Sequence, residues 1–153
     1  MGLSLRGFWM SSDFMSWGNC ERNFVRKVEV DVSRARSMLE VADGRVDFLK
    51  GVVVGEKNVS FLVEGYYEVM KELLTALFFA KGLKCRNHQC LFSYFYKMFP
   101  DSERDARFVL RMNMLRNRLN YYGEVVDLGW YEANGKEILR VVGILKGKVL
   151  GLV

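Results

Sequence analysis

Residues 58–81 carry the pattern that most limits what this chain can become. Leu62, Tyr66, Val69, Leu73, Leu77 and Ala80 recur at steps of three and four, and Val63, Tyr67, Met70 and Leu74 make a second apolar row beside them. A helix has that period and a strand does not. The polar remainder, Glu64, Glu68, Lys71, Glu72 and Thr75, is narrow. Such a helix has to be covered on two sides, as in the middle of a bundle. The pattern predicts a start at Lys57 or Asn58 and a stop at Gly82.

Other segments have the same period. Ala35, Leu39, Ala42, Val46, Leu49 and Val53 form one stripe behind a Ser33 cap, with Gly51 and Gly55 ending the helix. Asn87 is placed to cap a shorter helix over 88–99, with Leu91, Tyr94, Phe95 and Met98 inward and Pro100 closing it. Asp101 or Ser102 then caps a fourth helix that reaches Tyr122 and stops at Gly123, its core stripe being Phe108, Met112, Leu115, Leu119 and Tyr122. Residues 125–134 read as a loop or short helix. Residues 136–148 read as a last helix, with Ile138, Val141, Val142 and Leu145 inward. The expected fold is all-α, an up-and-down bundle of four to five helices over residues 32–153.

Residues 1–31 have no clean period. Phe8, Trp9, Phe14, Trp17 and Phe24 are too many aromatics to leave in water, and Ser11, Ser12, Asp13, Gly18 and Asn19 interrupt any repeat. A short helix or irregular arm docked on the bundle is expected, with 24–30 also readable as a strand.

The chain has 153 residues, half of them hydrophobic, enough for one domain with a sizeable core. No apolar run approaches the roughly 18 residues of a spanning helix, so no membrane is expected. The first residues lack the charged-then-apolar order of a secretory signal and have Arg6 where a myristoylation pattern wants Ser or Thr. The odd set Cys20, Cys85 and Cys90 is no disulfide framework and suits a reducing, cytoplasmic setting.

Charge is concentrated in the second half. Residues 81–122 carry nine basic and three acidic side chains, a local +6 in a chain whose total is +5. Such a field favours phosphate-bearing or acidic partners. On the fourth helix, Arg104, Arg107, Arg111 and Arg118 share one flank at about 100° per residue. Asn113, Asn117 and Asn120 share another, bordered by Arg116 and Tyr121. Asparagine is a poor helix former, so three on one face next to arginine point to recognition or a polar interface.

These residues resemble a known family. The run MLRNRLNYYG at 114–123 is similar to the end of the fourth helix of HEPN domains, VEGYYEVMKELLTAL at 63–77 to their central helix, and KGLKCRNH at 81–88 to the turn and capped helix that follow. The resemblance covers roughly residues 32–146. It implies an up-and-down bundle, a homodimer, and a site at the dimer cleft. Many such domains are metal-independent ribonucleases whose arginine steadies phosphate and whose histidine handles protons. Others bind RNA or nucleotides, or partner a nucleotidyltransferase.

Carried onto this chain, the arginine is Arg116 and the polar residue after it Asn117, while the histidine position falls on Tyr121, or on Tyr122 or Gly123 with longer spacing. A tyrosine, with an ordinary pKa of about 10, is a poor proton shuttle near neutrality. The resemblance therefore implies binding with lost or weakened ribonuclease activity. Arg116 and Tyr121 are the candidate catalytic pair. Arg116, Asn117, Asn120, Arg111 and Arg118 are the candidate RNA or nucleotide contacts, and His88, the single histidine, is a possible auxiliary. Two further readings are a protein-interaction module paired with a nucleotidyltransferase and an intact metal-independent ribonuclease.

No cofactor or metal is expected. Cys85, His88 and Cys90 are soft ligands within six residues, but no fourth lies nearby, and His88 and Cys90 fall on different helical faces. No phosphate-cradling glycine loop of the Walker or dinucleotide type occurs.

Overall fold

The computed structural model describes residues 13–153. Within them the chain forms α1 (Trp17–Asn23), β1 (Val25–Lys27), α2 (Val32–Lys50), α3 (Val59–Lys81), β2 (Leu83–Cys85), α4 (Gln89–Met98), a 3-10 turn (Pro100–Ser102), α5 (Glu103–Tyr122) and α6 (Leu128–Leu150). The expected all-α bundle is present, with a two-stranded ribbon added at one end. Phe8, Trp9, Ser11 and Ser12 lie outside the described residues.

α3 is the central helix, packed by α2, α4, α5 and α6. Every residue of its two apolar rows is buried, the outcome that so wide a face demands. Gly65 allows the approach of α2, since a Cβ there would stand 2.7 Å from Leu49 Cδ2. Gly82 closes α3 in the left-handed region at φ +70°, where a side chain is costly. Its carbonyl accepts from the Val28 N–H at 2.9 Å. This turn sets β2 antiparallel to β1, with Val25 opposite Cys85 and Lys27 opposite Leu83.

Several boundaries differ from the sequence reading. The cap of α2 is Asp31, whose carboxylate accepts from the Arg34 N–H at 2.9 Å. Ser33 already lies inside the helix. Because α2 ends at Lys50, Val53 drops out of the helical register and is 89% exposed. Met98 ends α4 and is exposed as well. Of residues 125–134, readable from sequence as a loop or short helix, 128–134 are helical and form the first two turns of α6. Gly129 and Gly135 each cost only about 1 kcal/mol in a helix, and Trp130, stacked on Phe108 with centroids 6.5 Å apart, holds the start of α6 to α5.

Two aromatics of residues 13–24 pack against α4. Trp17 meets Tyr94 edge-on at 5.3 Å, and Phe14 stacks on Tyr96 at 4.3 Å. The cysteine reading is corrected: Cys20 on α1 and Cys90 on α4 form a disulfide, with Cα atoms 5.7 Å apart, while Cys85 is free. The count of three hid a pair because the partners are 70 residues apart and meet only when the arm folds back. No described helix is long and apolar enough to cross a membrane.

Candidate functional site

α5 separates two clefts. On one flank, a cleft of about 560 Å³ is lined by Arg104, Arg107 and Arg111. Its charges are largely spent within the protein: Arg107 pairs with Glu103 at 3.1 Å, and Arg104 reaches Glu137 at 3.6 Å. Arg140, nearby on α6, binds both Glu137 and Asp105. This flank is an ion-pair network tying α5 to α6, with modest energies at exposed positions.

The other flank opens into a cleft of about 760 Å³. α5 supplies Asn113, Arg116, Asn117 and Tyr121, residues that one helical face brings together, and α3 supplies Tyr67. The turn between β2 and α4 contributes Arg86, Asn87, His88 and Gln89. The opposite wall is the arm, through Asp13, Phe14, Met15 and Phe24. Local chemistry fixes this turn. The Asn87 carboxamide oxygen accepts from the Gln89 N–H at 2.9 Å, as a helix-entry asparagine should. Arg86 ties the turn to the arm by donating to the Asn23 carbonyl at 2.9 Å.

Arg116 is the centre of this cleft. Its guanidinium lies 6.0 Å from the Tyr67 ring centroid, and its Nη1 donates a long 3.4 Å hydrogen bond to Asn117 Oδ1. Its Nε is buried with no hydrogen-bond partner among the described residues. Burial pushes the Tyr67 phenol well above its usual pKa, with Arg116 opposing, so Tyr67 stays a neutral donor. Burial also lowers the pKa of His88, Lys71 adds to the effect, Glu68 opposes it, and Arg116 lowers it further. A neutral imidazole near neutrality can accept a proton or a hydrogen bond.

The structure thus gathers four of the residues that the sequence nominated: Arg116, Asn117, Tyr121 and His88. Asn117 is largely buried and lines the cleft. The other three are not brought there. Asn120 is exposed and lines neither cleft, Arg111 belongs to the ion-pair flank, and half-buried Arg118 lines neither. The reason is helical phase for the two arginines, which lie about 140° and 200° from Arg116. Asn120 has the right phase, and nothing in the structure explains why it stays outside the cleft. Tyr67 was missed as a site residue, and Asn113, although placed on the recognition face, was not among the nominated contacts. Asn113 had a signal, its one-turn spacing from Asn117. Tyr67 had none, because a tyrosine in an apolar row looks like core.

Cys85, His88 and Cys90 do not converge, Cys90 being bonded to Cys20. Among the described residues no group of three or more ligating side chains could hold a metal. Comparison with protein-family models, with curated proteins and with solved structures yields no match.

Proposed function

We propose that this is a HEPN-like helical protein, acting as a homodimer, that binds RNA or a nucleotide in the cleft at Arg116 and has lost or weakened ribonuclease activity. The observation that carries the reading is the state of Arg116. Its guanidinium is half-buried, forms no ion pair among the described residues, and leaves Nε without a partner. Burying a cation unpaired is costly, and an external anion in the cleft would offset that cost. A phosphate accepts in the bidentate geometry that a guanidinium offers. Exposed Tyr121 at the cleft's edge and Tyr122 beside it supply apolar surface for a second copy.

The reading is tested by anisotropy with labelled single-stranded RNA across a salt series. Affinity should fall with salt, because neutralising phosphates releases counterions. Arg116→Ala should weaken binding more than Arg34→Ala. Absence of binding at low salt eliminates the reading, and a monomer in light scattering removes its dimeric part.

A second reading, an active metal-independent ribonuclease, is favoured by the place of His88. It shares the cleft with Arg116 and is held toward its neutral form, the state required of a general base. RNA cleavage in chelator that is lost in both Arg116→Ala and His88→Gln supports this; cleavage surviving both variants places the chemistry elsewhere.

A further inference from the structure

We propose that the cleft reads one unpaired nucleotide, with the Asn113 carboxamide meeting the edge of its base while Arg116 holds its phosphate. This rests on the proposed binding role of the cleft and names the form of ligand it takes. Asn113 is only 6% exposed, yet its side chain makes no hydrogen bond among the described residues, and it lines the cleft. Arg116, one turn further along α5, lines the same cleft with Nε unpartnered. A buried, unpartnered Arg116 Nε is unusual, because buried polar groups are normally paired, and the Asn113 carboxamide beside it stays open to whatever occupies the cleft.

The two groups ask for different things. A guanidinium is satisfied by phosphate oxygens. A carboxamide offers a donor and an acceptor side by side, which the acceptor-only phosphodiester group cannot match. Every nucleobase edge presents such a pair when it is not already engaged in pairing. In duplex RNA those edges are consumed and the major groove is too narrow for side chains, so single strands are the readable form. The recess has room for one nucleotide, at about 760 Å³, within the usual range for small-molecule sites. Phe14 and Phe24 on the arm's side give it aromatic surface, which suits a base.

The test compares three labelled RNA oligomers of equal length on the oxidised, full-length protein at low salt: a single strand, its blunt duplex, and a single strand made wholly abasic. The single strand should bind about tenfold or more tighter than either of the others, the scale of one good amide–base contact. Asn113→Leu, close in volume and apolar, should bring the affinity for the base-bearing strand down to that for the abasic one. Arg116→Ala should weaken all three. Equal binding of single strand, duplex and abasic strand by the native protein overturns the proposal while leaving a phosphate-binding cleft in place. Base discrimination that survives in folded Asn113→Leu also overturns it. If no oligomer binds the native protein, the functional reading beneath it fails as well. The ligand-side comparison needs no variant, so a poorly folded Asn113→Leu does not shield the idea.

Discussion

Removing the Cys20–Cys90 bond is the perturbation whose size the structure sets most directly. The bond closes a loop with a sequence separation of 70 residues. In the chain-entropy model a loop of that length restricts the unfolded chain by about 4 kcal/mol. Both cysteines are fully buried, so Cys20→Ala with Cys90→Ala also vacates space beside Met15, whose sulfur lies 3.6 Å from Cys20 Sγ. The expected loss is therefore about 4 kcal/mol or slightly more. With a urea slope of about 2 kcal/mol per M, the unfolding midpoint should fall by about 2 M. Reduction of the native protein should shift it by a similar amount. Thiol titration of the denatured, unreduced chain should find one thiol, Cys85. Three thiols, or midpoints that coincide, would refute both the pairing and the argument from loop length.

Three further perturbations follow from the geometry. Gly82→Ala should cost about 2 kcal/mol or more, because it forces a side chain into φ +70° with its Cβ 2.7 Å from the Val28 carbonyl oxygen; denaturant melts check this, and a neutral result would mean the turn is not as described. Ser60→Ala should cost about 1–3 kcal/mol, since buried Ser60 Oγ accepts from the Val126 N–H at 2.8 Å and that donor would be orphaned; hydrogen exchange at Val126 should quicken in the same variant. His88 titrates lower in the folded protein than in the unfolded chain. The unfolded state therefore binds the extra proton first as pH falls below about 6.5, and stability declines from there down to the folded pKa. His88→Gln should flatten that part of the stability–pH curve, and an unchanged curve would contradict the partly desolvated, cation-flanked placement of the imidazole.

How much of this was legible in the sequence depended on whether neighbours in space were also neighbours along a helix. The rows of α3 and the inward face of α6 were readable because period alone decides burial there, and Ile138, Val141, Val142 and Leu145 are all buried. Period misled at ends, where Val53 and Met98 follow the spacing but the helix no longer encloses them. Glycine misled at the start of α6, because packing of Trp130 outweighs a small propensity penalty. On α5, residue spacing separated the Arg116 face from the Arg104–Arg107–Arg111 flank. It could not tell which face lines the larger cleft, since that depends on the arm crossing from residues 13–24. The Cys20–Cys90 pair was hidden for the same reason.

The central claim is that the cleft at Arg116 is where RNA or a nucleotide sits. The most direct measurement follows side-chain amide and guanidinium resonances of isotope-labelled protein during titration with a short single-stranded RNA. The account predicts perturbations at Asn113, Arg116 and Asn117, with the Arg104, Arg107 and Arg111 flank undisturbed. Perturbations centred on that flank instead, or none at low salt, would contradict it.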